Sequence, residues 1–514
     1  MNARRDGFVL IVVLLTVVLL AMSVTTFTML MQTEDQATRL ITKRVQSKYL
    51  VDSGVDYARL FLSEPRKVIE SKGGWWDNPT RFQAIPVAIE SADPKNIGYF
   101  SVVAANLDDD GVPYGHRFGL TDESTKLNLN VLPYMDVWQP GSARNLLVSL
   151  PGMNEDIADA ILDFIDSDDD PRDYGYESSH YASKQPPYEA KNGPLDSLEE
   201  LLLVEGVTPE LLYGLDVNRN GILDPAELES SGESAADADL HLGLANYLTL
   251  HSKETNLNGQ GLTRVNINKD DLEQLYDDLR SAYNLDWANF VIHYRTAETE
   301  PLSEPPTEVS AVIQSASTLE PDFTNLKSAR KFTSVLDLVG KYIKVDDPEN
   351  LFSYIESPVN VLNVPMTLPV LMENMTTNEG ATIPGRVNIM KAPRKILEGI
   401  PEFDEDIIEG VLDARLKWQE DEFEINKNRK YETWLLAEGI VDLATMKTVL
   451  PYICVRGDVY KGEIVGYFGD GAGTSRAEAV FDTTVPVPRL LFWRDKSELP
   501  AAYSVDVLGT SLVE

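Results

Sequence analysis

Cysteine is almost missing from this 514-residue chain: Cys454 stands alone inside the apolar run Pro451 to Val455, so no intrachain disulfide can form. A fold without a bridge must be held by packing, metal or neighbours. Histidine is scarce, with five in all, and His116, His180, His251 and His293 are scattered without the spacing of a zinc site or a nucleophile–base pair. Positive charge is also in deficit. Lys and Arg number 45 against 82 Asp and Glu, a formal charge of −37 that repels nucleic-acid phosphate and anionic lipid headgroups. No phosphate loop or nucleotide fingerprint is present. These absences argue against an enzyme and against a nucleic-acid partner, and they leave cation binding as the natural counterweight to the acidic excess.

What the chain does have begins at its N-terminus. From Phe8 to Met31 no ionisable side chain occurs, which at about 1.5 Å of rise per helical residue is long enough to cross a bilayer core. Arg4 and Arg5 precede it, so residues beyond 31 are expected outside the cytoplasm. The apolar positions Leu40, Val45, Tyr49, Val55 and Leu62 continue at near-helical intervals with no proline between, predicting an amphipathic second half packed on a globular domain. Rival readings of this segment are a signal peptide cut near Ala21-Met22-Ser23, twin-arginine export, and a plain signal anchor.

Beyond the break at Gly73-Gly74-Trp75-Trp76 and Pro79, a hairpin is expected from Tyr99 to Ala105 and Tyr114 to Leu120, turning at Asp108 to Gly111. A helix–turn–helix unit follows, with connector Leu150-Pro151-Gly152-Met153-Asn154-Glu155-Asp156 and an apolar face of Ile157, Ala160, Ile161 and Phe164. It resembles a helix-hairpin-helix motif, but its acidic connector suits a scaffold better than a DNA backbone. The chain then repeats itself. Lys126-Leu127-Asn128-Leu129-Asn130, Arg264-Val265-Asn266-Ile267-Asn268 and Arg386-Val387-Asn388-Ile389-Met390 share one pattern, and each is followed by a second phrase, at Leu195 to Leu201, Phe332 to Leu338 and Tyr431 to Leu436. Three related helical units, 126–251, 264–360 and 386–455, are the expectation. The Pro-, Ser- and Glu-rich stretch from Ala297 to Pro321 predicts a flexible loop. From Val459 to Phe468 and Ser475 to Asp482 the pattern returns to strands, with Arg489 to Arg494 a further one.

One stretch has readable chemistry. Asp216-Val217-Asn218-Arg219-Asn220-Gly221-Ile222-Leu223-Asp224-Pro225-Ala226-Glu227 fills every place of a twelve-residue EF-hand loop. Asp216, Asn218 and Asn220 offer side-chain oxygens, Gly221 the sharp turn, Ile222 its carbonyl, Asp224 a direct or water-borne contact, and Glu227 a bidentate carboxylate. A single loop of this kind reads as a structural calcium staple. A second, less ordered cluster comprises Asp163, Asp166, Asp168, Asp169, Asp170 and Glu177, whose mutual repulsion a hard cation would relieve.

The short basic leader ending in Gly, the apolar helix and its amphipathic continuation resemble a type IV pilin-like protein, or pseudopilin. The segment Gly119 to Asn130 and the closing phrase Phe492-Trp493-Arg494 are similar to those of the general secretion pathway protein K family. That resemblance implies an α+β fold: leader 1–7, helix 8–62 with its membrane span 8–31, the first part of an antiparallel pilin-like sheet in 63–125, an all-helical insertion 126–455, and closing strands in 456–514. It implies cleavage by prepilin peptidase between Gly7 and Phe8, N-methylation of Phe8, and calcium in the insertion. Most pseudopilins carry a Glu five residues into the mature chain, thought to pair with the N-terminal amine of the subunit ahead. Here that place holds Val12, and the K family likewise lacks that acid. The implied role is a minor pseudopilin at the tip of the periplasmic pseudopilus of type II secretion, anchored in the inner membrane and meeting the I and J minor pseudopilins and the pilus shaft. Two alternatives are a membrane-anchored extracytoplasmic calcium-binding protein and a DNA-uptake protein with helix-hairpin-helix units.

Overall fold

The computed structural model describes residues 6–88, 94–108, 110–231, 241–308, 310–324, 326–345, 352–360, 363–420 and 429–510. Leader residues 1–5 and Asp109 of the hairpin turn lie outside them. One helix runs unbroken from Asp6 to Leu62. Its apolar part is bare among the described residues: Phe8 to Met31 is exposed throughout, and the helix is long and apolar enough to cross a membrane. Its C-terminal part lies on a seven-stranded antiparallel sheet.

The face that packs there keeps Val55 and Leu62 of the expected one and corrects the rest. Leu40, Val45 and Tyr49 are exposed, while Ser47, Leu50, Val51, Val55, Ala58, Phe61 and Leu62 are buried. The helix is seated by small residues as much as by large ones. A Cβ on Gly54 would stand 2.5 Å from Ile464 Cγ2, so helix and sheet approach closer there than any side chain allows. Apolarity alone does not mark such a face.

The central strand, Val459–Phe468, pairs with Gly98–Leu107 on one side and with Ser475–Asp482 on the other, and Arg489–Asp495 completes that edge. The far edge of Gly98–Leu107 takes Ile85–Ala88 and then Pro113–Phe118. Thr121–Asp122 pairs with Lys461 and Tyr460, so the chain departs into the insertion beside the point where it returns. Asp122 ties that root. Fully buried, its carboxylate accepts from Ser124 N (2.8 Å), Gly457 N (2.7 Å) and Asn388 Nδ2 (2.9 Å).

The insertion has its own hydrophobic core, separate from the one between long helix and sheet. Its three repeated phrases fold alike. Asn128, Asn266 and Asn388 each accept, through Oδ1, the backbone N–H two residues on, closing the same short turn three times. The residues just before each turn form a two-residue parallel pair with a later segment: 127–128 with 248–249, 265–266 with 375–376, and 387–388 with 453–454. Asn130 and Asn268 then grip the second phrase by both backbone groups of Leu195 and Phe332. Met390 holds that place in the third unit.

The middle unit therefore extends to Thr376 rather than stopping at 360. It also contains a three-stranded sheet of Val312–Gln314, Tyr342–Val345 and Ser353–Glu356. The Ala297 to Pro321 stretch is accordingly not a free loop: Val312–Gln314 is a strand, Leu302 bridges Tyr342, and Ala316 is buried. Backbone pairing to a neighbouring strand orders a segment whose composition predicts none.

Candidate metal centre and its surroundings

The loop 216–227 follows the short helix Pro209–Tyr213, and Glu227 sits in the first turn of the helix Pro225–Ser231. Asp216, Asn218 and Asn220 are all buried. Each oxygen-bearing side chain folds the loop around itself. Asp216 accepts from Asn220 N (3.1 Å) and Gly221 N (2.8 Å), and Asn220 Oδ1 accepts from Ile222 N (2.8 Å). Asp224 Oδ2 accepts from the amides of Asn218 (2.7 Å) and Asn220 (3.1 Å). Glu227 accepts from Asn218 N (3.1 Å) and Asp224 N (3.0 Å), so its carboxylate reaches back across the loop. Gly221 has φ +82° and Arg219, a non-glycine, +57°.

Burial pushes the Asp216 carboxyl up to about 6, the Gly221 amide opposes that, and the charge of Glu227 adds to it. Three carboxylates, two amide oxygens and a backbone carbonyl form the hard-oxygen set that calcium takes, and a doubly charged ion would cancel the penalty on Asp216. The residues fit the metal.

The second cluster is built differently. Asp163 and Asp166 flank one guanidinium: Arg172 Nη1 donates 2.6 Å to each. Gly175 passes so close to Asp163 that a Cβ would lie 1.7 Å from Oδ2. The oxygens of Asp166, Asp168 and Glu177 come within 4.8 Å of one another, which leaves Asp163 outside the converging group. Asp169 accepts from Asn192 Nδ2 (3.2 Å) and is exposed, as is Asp170. Glu177 is buried, neither of its oxygens has a hydrogen-bond partner, and Oδ1 of Asp166 has none either. Burial and then the like charges of Asp163, Asp166, Asp169 and Asp168 push the Glu177 carboxyl up to about 7. A buried acid with no donor is the observation that fits a cation here.

Sequence reasoning missed the cations that surround these acids. Arg172, nine residues from Asp163, shows no motif of its own. Arg476 and Lys496 lie 258 and 277 residues from the loop residues whose carbonyls they reach, Asn218 and Arg219. A cavity of about 170 Å³ opens beside the loop, lined in part by Asp216, Gly221, Lys461, Glu463, Glu478 and Arg494.

The histidines sit in unrelated settings. His180 Nε2 lies 3.1 Å from Glu205 and His293 Nε2 lies 3.2 Å from Leu319 O, while His116 packs against Tyr503 and His251 near Phe492. Cys454 Sγ is buried 3.6 Å from Arg386 O, and burial pushes its thiol well up. The connector at Gly152 (φ +74°) is followed by Asn154, whose side chain caps the next helix at Ile157 N (2.9 Å), and by the exposed acids Glu155 and Asp156. A like hairpin recurs at Pro401 to Ile407, with Asp404 as cap and Glu405 and Asp406 again exposed. Acids at both connectors repel phosphate.

Residues 125–216 match the family model for the type II secretion system, protein K. A curated protein of Escherichia coli strain K12, named for type II secretion system protein K, is 24% identical over 258 residues, spanning 48% of this chain and 72% of that protein. A chain of the crystal structure of the GspK-GspI-GspJ complex, from the type 2 secretion system of enterotoxigenic Escherichia coli, aligns over 89% of this chain and 98% of its own. The identity there is 12% and the TM-score 0.32.

Proposed function

We infer that this chain, a member of the type II secretion system protein K family, works as a minor pseudopilin supporting assembly of the pseudopilus and protein export. The observation that carries the reading is the match over 125–216 falling on the first unit of an insertion that interrupts a sheet seated on one unbroken, half-bare helix. The bare half suits a single inner-membrane span, with the sheet and insertion in the periplasm. Prepilin peptidase would cut between Gly7 and Phe8 and leave Phe8 as the methylated terminus. Partners of the I and J type are proposed from the relative solved with such subunits, and the pilus shaft from the helix.

Val12 sets the place in the fibre. It offers no carboxylate to the amine of a subunit ahead, and the insertion adds bulk that a subunit stacked above would meet. The chain belongs at the tip. Calcium is proposed for the 216–227 loop and for the group formed by Asp166, Asp168 and Glu177, as a structural staple of a chain that has no disulfide. Mass spectrometry of the mature N-terminus tests the class: a chain beginning at methylated Phe8 is expected, and one beginning at Met1 would refute it. Val12→Glu tests the placement, and finding the wild-type chain spread along the shaft would refute the tip.

A further inference from the structure

The seam between insertion and sheet is polar, because the two hydrophobic cores do not merge across it. Near the 216–227 loop that seam is organised by Glu463 on the central strand. One of its oxygens accepts from Arg476 Nη1 (2.7 Å) and the other from Lys496 Nζ (2.8 Å), and Lys496 also lies 2.9 Å from Glu478. Glu463, Arg476 and Lys496 are all buried. Both cations also reach the loop: Arg476 Nη2 donates to Asn218 O as well as to Pro500 O (3.2 Å), and Lys496 Nζ donates to Arg219 O (2.6 Å). The two loop carbonyls belong to its third and fourth places, neither of which supplies a backbone ligand in an EF-hand.

We propose that Arg476 and Lys496 are positioning residues for the 216–227 loop, so that cation binding in the loop and clamping of the insertion onto the sheet form one coupled equilibrium. The proposal rests on the reading of this loop as a calcium site. The Asn218 and Arg219 carbonyls face the sheet in the turned conformation, which includes the left-handed Arg219. An ion held by Asp216, Asn218, Asn220, Ile222, Asp224 and Glu227 stabilises that conformation from inside, and the two cations stabilise it from outside. Whatever favours one set favours the other, by the same factor in both directions. The root of the insertion is independent of the ion. It is fixed by Asp122 with Gly457 and Asn388, by Lys253 with Asp482 (2.8 Å) and by Thr255 with Asp458. Loss of the ion therefore loosens one end of the seam and leaves the other closed.

The test uses the full chain in detergent with calcium alone as the added ligand, reading affinity by calorimetry and backbone protection by hydrogen exchange. Calcium is expected to protect residues 216–227 and, beyond them, the amides around Arg476 and Lys496. Glu227→Gln should abolish both. Arg476→Gln should weaken calcium at this loop roughly tenfold, within the lower half of the usual coupling range, and Arg476→Lys should recover part of that loss because one donor is kept. Lys496→Gln gives a second reading should the first variant fold poorly, with exchange in the strand Gly98–Leu107 reporting the fold. If calcium gives no response that Glu227→Gln removes, the loop reading and this inference both fall. If calcium binds the loop but Arg476→Gln and Lys496→Gln bind it equally well, with protection confined to 216–227, only the coupling is overturned.

Discussion

The two acidic sites of the insertion reach similar chemistry by opposite routes. In the 216–227 loop, alternating places of one short segment supply the oxygens, and amides of the same segment hold every acid in position, backbone ones at Asp216 and Glu227 and the side chains of Asn218 and Asn220 at Asp224. In the 163–177 cluster, acids that are near in sequence but irregularly spaced are sorted by the fold, two held by one guanidinium and Glu177 left short of donors. The first is a fixed spacing in sequence. In the second, only the fold decides which acids converge. A loop that solvates its own acids tolerates an empty state, whereas a cluster that shares one arginine depends on that arginine.

That difference predicts its own largest test. Arg172→Ala leaves Asp163 and Asp166 buried without their cation, and removing one partner of a buried pair costs about 3–5 kcal/mol. Urea unfolding in the presence of a chelator should show a loss of that size, part of it restored by calcium, while calcium affinity at the 216–227 loop stays as in the wild type. A variant as stable as the parent would mean that the cluster does not depend on Arg172.

A smaller effect separates the two glycines on which the sites turn. Gly175 is required by proximity: the carboxylate that its Cβ would strike is locked on the amide and guanidinium of Arg172 and cannot yield. Gly175→Ala should cost about 1–3 kcal/mol, the usual penalty for overpacking. Gly221 is required by its left-handed φ, and its Cβ would meet nothing nearer than Asn246 Oδ1 at 3.2 Å. Gly221→Ala should cost only about 1 kcal/mol, yet it is the one that lowers calcium affinity at its own loop. Thermal melts and calorimetry on the pair decide this, and the reverse ranking would break the distinction.

The same contrast explains what could be read in advance. The long helix, the hairpin, the closing strands and the EF-hand spacing were legible because each rests on short-range periodicity or fixed offsets. The threefold phrase was legible because Asn128, Asn266 and Asn388 must each close the same turn. The seat of the helix was not: it depends on Ser47, Gly54 and Ala58, whose value is their smallness opposite particular strand residues. The strand at Val312–Gln314 was hidden because its partner, Ser353–Glu356, lies about forty residues on. Arg476 and Lys496 were invisible for a similar reason, since nothing local marks a lysine or arginine that will face a distant carbonyl, while Arg172 is near its acids in sequence but carries no motif.

The most gradual expected effect lies in pH, and it separates the sites by window. With no metal bound, burial holds the folded Asp216 carboxyl near about 6 against an ordinary value of 3.8. Between about pH 4 and 6 the folded chain then keeps a proton that the unfolded chain has released, so stability falls as pH rises, by at most about 1.4 kcal/mol per unit. Calcium competes with that proton, so its binding weakens on acidification through the same range. For Glu177, pushed to about 7 chiefly by burial, the corresponding window runs from about pH 4.5 to 7. Urea unfolding in chelator should thus show the difference between wild type and Asp216→Asn flattening above about pH 6, while that between wild type and Glu177→Gln keeps sloping toward neutrality. Stability differences that rise with pH in these windows would mean that neither acid is held protonated by the metal-free fold, and the case for a cation at both sites would lose its electrostatic ground.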